Sequence, residues 1–311
     1  MSVDRWLKER TFGPGAFDPK RMRDVKRANG CRVSVVVPAR QVEDTVGHIC
    51  TAIVHEWMGG EAPLVDELVV MNGGSGGDDT AAAARAAGAR VVHDDDVLPH
   101  IVGRGKGAAM WRSLEVTDGD VVVWVDGDII DFDPRFIPQL LGPLLTNRAI
   151  GYVKGFFDRP LANTAVGGGR VSEICARPLI NRFRPELAGF IQPLSGEAAG
   201  RRDVLESVPF LSGYAVEIGL LWDISAHVGV DAMAQVDLGH RVHTNQPTAA
   251  LGPMAAAILA AVLRREGLDG AAPTRDYRRP RTDGSEVILE HATIDLVELP
   301  PIASLTGGVR R

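Results

Sequence analysis

Two aspartates, Asp126 and Asp128, flank one glycine directly after Val121–Val125, the most hydrophobic strand-like run of the chain. Across a turn of this length, one carboxylate can face a nucleotide while the other reaches a metal ion. Carboxylate oxygens, completed by phosphate oxygens, are a usual shell for Mg²⁺ or Mn²⁺. Such a cation offsets the negative charge that develops on a departing diphosphate. Aspartates at a strand end can also serve only the backbone of a turn, but the position of this DxD pair favours a metal site.

Two glycine-rich stretches, Met71–Thr80 and Gly103–Gly107, could let phosphates or a nucleoside approach the backbone. The first fails as a dinucleotide fingerprint, because Asp79 stands where the third glycine of GxGxxG is required. Asp78 or Asp79 is instead predicted to cap the following helix. The second lacks the full GxxxxGK[ST] spacing, yet Lys106 at a helix start could still meet a phosphate.

Two histidine-containing segments are further candidates for a metal. In His93–Asp96 the consecutive side chains point in diverging directions, so we expect a solvated loop. His243 follows a late predicted strand and could return to the edge of the sheet as a metal ligand. The spacing of His243 alone does not decide whether it binds a metal.

The elements that must position these residues alternate along the first half of the chain. Short β-branched runs, typical of strands buried on both faces, are followed by stretches with helical periodicity. The alternation predicts a parallel, doubly wound sheet, whose ligands bind beyond the carboxyl ends of the strands. The predicted strands are Val33–Val37, Glu67–Met71, Arg90–Val92 and Val121–Val125, and the predicted helices cover Val46–Trp57, Asp78–Ala87 and Lys106–Val116.

Beyond Tyr152 the alternation weakens. We predict a helix after Gly167–Arg170, a second helix over Ala215–Val228 and a strand over Ala234–Leu238. The stretch Glu286–Leu289 is the one strand-like piece near the end.

Four parts are expected in the order of the chain. Residues 1–30 form an N-terminal extension. A basic cluster near this end is predicted to be a solvated face or tether; its members are Lys20, Arg21, Arg23, Lys26, Arg27 and Arg32. Residues 31–150 and residues 151–266 form two functional halves, and residues 267–311 form a partly ordered tail.

Composition narrows the class of protein. The 311 residues carry a formal net charge of −6 with a pI near 5.8, which argues against general binding to nucleic acid or anionic membranes. Three widely spaced cysteines suggest neither a zinc site nor disulfides, so a reduced cytosolic protein is expected. The apolar run Leu251–Leu263 is too short to span a bilayer and is predicted to be a buried core helix.

Taken in order, the motifs resemble those of one family, the actinobacterial glucosyl-3-phosphoglycerate synthases, which are retaining glycosyltransferases. The matching segments, beside the DxD pair, are Ser34–Ala39, Gly74–Thr80, Gly105–Gly107, Trp111–Leu114, Gly167–Val171, Ala176–Leu179, Gln192–Glu197, Gly213–Leu221 and Ala234–Gly239. The resemblance implies an α/β fold of the GT-A type, a mostly parallel twisted sheet flanked by helices. It also implies that residues 31–150 form a Rossmann-like nucleotide-sugar-binding half and that residues 151–266 form an acceptor-binding half.

The resemblance also implies an activity and its residues. Glucose would move from UDP-glucose to 3-phosphoglycerate with Mg²⁺ or Mn²⁺, in a cytoplasmic homodimer. Asp128 and His243 would bind the metal, Glu217 would hold the sugar hydroxyls, and the carbonyl of Leu194 would lie near the anomeric carbon. The implied donor-binding residues are Pro38, Ala39, Arg40, Val42, Ser75, Lys106, Asp126, Gly127 and Arg241. The implied acceptor-binding residues are Gly169, Arg170, Ser172, Tyr214 and Asn245.

Departures from the family pattern keep two alternatives open. Val42 replaces a carboxylate expected near the nucleoside, Asn72 replaces an aspartate, and Thr244 and Gln246 replace two cations near the acceptor. A related transferase with another small acceptor or nucleotide sugar is the first alternative, and a catalytically silent nucleotide-sugar binding protein is the second. The change at Val42 predicts shallow discrimination between uracil and guanine nucleotides.

Overall fold

The computed structural model describes residues 1–74, 77–158, 169–241, 248–268, 276–284, 286–294 and 296–305. Ser75, His243 and Asn245 therefore lie outside the described residues. Within the described ranges the strands are β1 (Thr11–Phe12), β2 (Val33–Ala39), β3 (Glu67–Asn72), β4 (Arg90–His93), β5 (Val121–Trp124), β6 (Tyr152–Asp158), β7 (Ala198–Arg201), β8 (Phe210–Leu211), β9 (Met233–His240), β10 (Asp276–Asp283), β11 (Glu286–Thr293) and β12 (Glu298–Leu299).

Eight of these strands form one central sheet in the order β1-β9-β6-β7-β5-β2-β3-β4. All neighbouring pairs are parallel except those of β7, which runs antiparallel to both β5 and β6. The predicted doubly wound, mostly parallel sheet is thereby confirmed, and β6 and β7 are strands that the sequence did not reveal. The short β7 runs opposite to its neighbours and lies beside β5, the strand that precedes the DxD pair.

Helices cover both faces of the sheet. Their bounds are α1 (Val3–Arg10), α2 (Pro19–Asn29), α3 (Glu43–Trp57), α4 (Thr80–Ala86), α5 (Lys106–Val116), α6 (Phe136–Thr146), α7 (Arg177–Phe183), α8 (Arg202–Glu206), α9 (Val216–Val228), α10 (Gly252–Arg265) and α11 (Ile302–Leu305). A π-helical turn, Ser172–Ala176, precedes α7.

Alternate side chains of each central strand enter different cores, as the twofold repeat of a strand requires. On β5, Val121 and Val123 pack in one core with α3 and α6. Val122 and Trp124 pack in the other core with α5 and α9. Burial on both faces explains why the β-branched runs are continuous.

The first thirty residues are packed against the sheet. Trp6 is 1% exposed, and its indole N–H lies 2.9 Å from the carbonyl oxygen of Val230. Lys26, within the basic cluster, is buried with its ammonium 2.7 Å from Asp66 Oδ2. The expectation of a solvated tether is therefore wrong for Lys26, because an acidic partner compensates its burial.

The apolar stretch predicted to be a buried core helix forms most of α10. Only Ile258, Ala261 and Val262 of this helix are buried. The prediction is therefore correct only in part, since most other positions are half-buried where α10 packs on α9, on the π-helical turn and on the 3-10 turn Gly213–Ala215. None of the helices in the described ranges is long and apolar enough to cross a membrane.

Near the end of the chain, β10 and β11 pair as an antiparallel hairpin, which confirms the predicted strand at Glu286–Leu289. Further on, β12 pairs with β8. Through that pair the last segment reaches the turn that precedes α9.

Candidate active site

A cleft of about 430 Å³ opens at the carboxyl ends of β2 and β5. It brings together the DxD pair, the residues after β2, the start of α5 and an exposed tyrosine. The predicted site residues that line it are Pro38, Ala39, Arg40, Val42, Lys106, Asp126, Gly127, Asp128 and Tyr214. Most of the predicted donor residues thus share one cavity, whose volume is in the range of small-ligand pockets.

The register between β2 and β5 explains this convergence. Val36 lies opposite Trp124, so Pro38 and Asp126 leave the same edge of the sheet. A side chain at Gly127 would come 3.2 Å from the carbonyl oxygen of Pro38 and 3.3 Å from Val42. Any larger residue would therefore be tight where the turn between the two aspartates passes the end of β2.

Lys106 connects the DxD pair to α9. Gly105, with φ +78°, starts α5 and places the lysine in its first turn. Its ammonium lies 2.9 Å from Glu217 Oε1 and is also paired with Asp126 Oδ1. Burial opposes the charge, but Asp126 and then Glu217 and Glu197 raise the pKa of Lys106, so the lysine stays cationic.

Arg241 lies beneath the DxD pair and is 0% exposed. Its guanidinium is 2.5 Å from Glu197 Oε1, 3.5 Å from Asp126 Oδ2 and 3.3 Å from Asp128 Oδ1. Its central carbon lies 5.0 Å from the ring centroid of Phe157, a cation–π contact. Among the described residues, four carboxylates share this site with three cationic side chains, counting Lys154. The surplus of negative charge favours a further cation.

Asp128 is the carboxylate best placed to receive that cation, because its side chain is 58% exposed at the cleft. Asp126 is more enclosed and is held by Lys106 and Arg241. Within the described ranges, no group of three His, Cys, Asp or Glu could hold a metal by itself. Mg²⁺ is commonly bound by one or two carboxylates together with substrate phosphates, so the DxD donor set fits a cation that arrives with a nucleotide.

The loop that carries Leu194 packs beneath the same site. Lys154, 1% exposed on β6, donates a 2.7 Å hydrogen bond to the carbonyl oxygen of Ser195. The Ser195 hydroxyl donates to Glu197 Oε2 at 3.0 Å. A side chain at Gly196 would collide with Lys106 and Asp126. The backbone around Leu194 is therefore fixed against Lys106 and Asp126.

The predicted acceptor residues divide into two groups. Tyr214, 56% exposed, lies in a short 3-10 turn and lines the cleft. Gly169, Arg170 and Ser172 are not among the residues that line it. They open the helical segment that continues into α7, with Gly169 at φ +75°. The π-helical turn of this segment packs on α10, which in turn packs on the turn of Tyr214.

Three side chains near the site were not assigned a role from the sequence. Lys154 and Glu197 are buried charged side chains. The single lysine within the otherwise apolar run Tyr152–Phe157 is the sequence signal that could have revealed Lys154. Asp94 belongs to the segment predicted to be a solvated loop. That prediction is wrong for Asp94, which is 5% exposed because Arg112 lies beneath it.

Smaller expectations about the turns are also resolved. Asp78, rather than Asp79, provides the polar contact at the start of α4, since its Oδ1 accepts the N–H of Thr80 at 2.9 Å. Asn72 Oδ1 accepts the N–H of Gly74 at 3.2 Å, so this amide stabilises the turn after β3.

Comparison with known proteins agrees with this geometry. The family model described as Glycosyl transferase family 2 matches residues 34–208. A mostly parallel sheet with a DxD-bearing cleft at its carboxyl edge, together with this match, places the protein in the class of family 2 glycosyltransferases.

Individual relatives narrow the class. The chain is 43% identical to the glucosyl-3-phosphoglycerate synthase of Mycolicibacterium smegmatis over 309 residues, covering 97% of this chain and 98% of the relative. It therefore belongs to the glucosyl-3-phosphoglycerate synthase family.

Two solved structures show the same fold. The Mycobacterium tuberculosis synthase in complex with Mn²⁺, UDP and glucosyl-3-phosphoglycerate has a TM-score of 0.82 and 41% identity, covering 94% of this chain and 97% of that one. The mannosyl-3-phosphoglycerate synthase of Rubrobacter xylanophilus has a TM-score of 0.89 and 39% identity, covering 98% of both chains.

Proposed function

We propose that the protein is a metal-dependent, retaining glycosyltransferase that moves glucose from a nucleoside diphosphate sugar to 3-phosphoglycerate. The observation that carries the proposal is the juxtaposition of Asp126, Asp128, Lys106 and Glu217 around one cleft. Family membership supports the substrates, and the M. tuberculosis relative is solved with UDP and the glucosylated product.

The donor half of the site follows from the charges. The bond that breaks joins the anomeric carbon to the distal phosphate oxygen, so negative charge grows on the departing diphosphate. Lys106 offers an ammonium at this point, and its two carboxylate partners keep it protonated. Asp128 would hold Mg²⁺ or Mn²⁺, and a bound cation would offset the same charge. His243, outside the described residues, is proposed as the second protein ligand.

The sugar and the leaving group must be held in fixed positions while this bond breaks. Glu217 is buried in the first turn of α9 and is positioned by Lys106, so one carboxylate oxygen remains for sugar hydroxyls. Lys154 and Glu197 fix the backbone next to Leu194, whose carbonyl is proposed to lie near the anomeric carbon. A bond formed from the same face as the one broken retains the anomeric configuration.

The acceptor half is proposed at Gly169, Arg170, Ser172, Tyr214 and Asn245. A phosphate and a carboxylate on one small acceptor require a guanidinium and backbone N–H groups, and Gly169–Arg170 at a helix start offers both.

A product-mass experiment tests the proposal. UDP-glucose and Mg²⁺ are incubated with and without 3-phosphoglycerate, and in parallel with excess EDTA. We expect a product heavier than 3-phosphoglycerate by one glucosyl unit, dependent on both acceptor and metal. Undiminished turnover in EDTA would contradict the metal assignment, and hydrolysis alone would contradict the acceptor.

Mannosyl transfer is a second candidate. It is favoured by the likeness to the R. xylanophilus mannosyl-3-phosphoglycerate synthase, which covers 98% of both chains. The two products have equal mass, so GDP-mannose and GDP-glucose are supplied in separate incubations and the initial rates of product formation are compared.

The proposal extends to a homodimer in the cytoplasm, which the family resemblance implies. Light scattering behind gel filtration should then give about twice the 33.3 kDa mass of the chain.

A further inference from the structure

One buried carboxylate in the cleft has no role in the proposed transfer. Asp94 follows β4 directly, and β4 pairs with β3 through Asn72 and His93. The side chain lines the same cleft as Pro38, Ala39 and Gly73, which follow the neighbouring strands. This is the part of the cleft beyond the strand ends and away from Glu217, where the base of a bound nucleotide has room.

Asp94 lies beside a cation, but one of its carboxylate oxygens lacks a hydrogen-bond donor. Its Oδ2 lies 3.4 Å from a guanidinium nitrogen of Arg112, and Oδ1 accepts no hydrogen bond within the described part of the chain. All three guanidinium nitrogens of Arg112 already donate to the carbonyl oxygens of Val97, Ile101 and Gly103. Burial raises the pKa of Asp94, and Arg112 opposes that shift.

An orphaned oxygen on a side chain that is only 5% exposed is costly in an unliganded protein. Such an atom is typical of a site completed by a ligand that donates hydrogen bonds. Asp94 thus differs from Asp95 and Asp96, its exposed neighbours, whose oxygens water can satisfy.

The hydrogen-bonding edges of the bases differ in what they offer a carboxylate. Guanine presents two donors side by side, the ring N1–H and the exocyclic 2-amino group. Uracil presents a single N–H between two carbonyl oxygens, which would face the carboxylate unfavourably. Two adjacent donors can bind a carboxylate in a bidentate manner, the strong arrangement for an ionised acceptor.

We propose that Asp94 reads the base of the donor and that the base subsite takes guanine, so guanosine diphosphate sugars are substrates of the transferase. This inference rests on the proposed nucleotide-sugar function. It predicts the opposite of the shallow base discrimination expected from Val42, since Asp94 supplies a carboxylate to the same cleft from the end of β4.

Calorimetric titration of GDP and inosine diphosphate (IDP), each with Mg²⁺, isolates the contact. The two nucleotides differ only by the 2-amino group. We expect the native protein to bind GDP at least about tenfold more tightly than IDP, the scale of one hydrogen bond to a charged group. In Asp94→Asn the difference should shrink to within about twofold, because the amide has only one acceptor oxygen and a competing N–H₂ group.

Asp96→Asn is the matched control, since it makes the same change two residues along and outside the cleft. It should keep the native difference between GDP and IDP. Binding of UDP with Mg²⁺ to Asp94→Asn shows that the variant is folded, and if it does not fold, the native comparison decides alone.

Equal affinities for GDP and IDP in the native protein would overturn the proposal and would indicate that a water molecule satisfies Asp94. A difference that survives in Asp94→Asn would overturn the assignment to this residue. No acceptor or sugar is present in these titrations. Failure of transfer to 3-phosphoglycerate would therefore refute the proposed function without affecting this result.

Discussion

Replacing Arg241 by methionine should destabilise the protein strongly, because the buried carboxylate of Glu197 would lose its cationic partner. Glu197 is 0% exposed, and its Oε1 lies 2.5 Å from the guanidinium. Without Arg241, this carboxylate keeps Ser195 Oγ as a hydrogen-bond donor but loses its direct counter-charge. Breaking a buried pair by removing one partner typically costs about 3–5 kcal/mol.

The reverse change should cost less. In Glu197→Gln, Arg241 still lies 3.3 Å from Asp128 and 3.5 Å from Asp126, so its charge remains compensated. The double variant Arg241→Met/Glu197→Gln removes the stranded charge and should recover part of the loss seen in Arg241→Met. The order of stability is therefore native, Glu197→Gln, the double variant and finally Arg241→Met.

Urea unfolding monitored by circular dichroism measures these differences at equilibrium. Arg5→Met, which removes an exposed pair with Glu9, is the control and should leave the midpoint unchanged. If Arg241→Met and the double variant were equally unstable, the loss would come from packing rather than from an uncompensated charge. A loss below about 1 kcal/mol for Arg241→Met would refute the reasoning outright.

Three further predictions concern the site. Asp128→Asn should lower kcat/KM roughly a thousandfold, about 4 kcal/mol, in steady-state assays with Mg²⁺, and rates within tenfold of native would contradict its metal role. Arg170→Ala should raise the KM for 3-phosphoglycerate about ten- to a hundredfold and leave the nucleotide affinity measured by calorimetry unchanged. Arg177→Ala, on the same helical segment, is the control and should leave this KM unchanged. Loss of nucleotide binding in Arg170→Ala would refute the division into two halves. Burial lowers the pKa of Lys154 to about 8, so the cost of its buried charge is full below pH 8 and fades above it. The native protein should therefore gain stability relative to Lys154→Met between pH 7 and pH 10, and a pH-independent difference in urea unfolding would contradict the shift.

Much of the sheet could be predicted because its strands are buried on both faces. The runs at β2, β3 and β5 are short, continuous and rich in valine, which favours buried strands over helices. By contrast β7, Ala–Ala–Gly–Arg, has small residues and no β-branched ones. Its place between β5 and β6 is set by antiparallel pairing with both neighbouring strands rather than by local propensity. Helix α6 was missed because Pro138 and Pro143 interrupt its pattern.

The site residues that directly follow a predicted strand or a glycine-rich turn could be predicted from the sequence. Asp126 and Lys106 each follow a recognisable signal, a buried strand and a glycine-rich turn. Asp94 and Glu197 were not found because burial of a charge depends on the fold, and an acidic residue in a polar segment is expected to be solvated. Lys154 was missed although it stands within an apolar run. Arg112 beneath Asp94 lies eighteen positions away in the chain, a separation that no local pattern reports.

The central claim is a retaining transfer of glucose to 3-phosphoglycerate, and proton NMR of the isolated product tests it most directly. UDP-glucose and GDP-glucose are supplied in turn with Mg²⁺ and the acceptor. The account predicts one new anomeric proton with the small coupling of an α-glucoside, correlated to the carbon that carries the free hydroxyl of 3-phosphoglycerate. A large β-type coupling, a linkage elsewhere on the acceptor, or free glucose alone from both donors would contradict it.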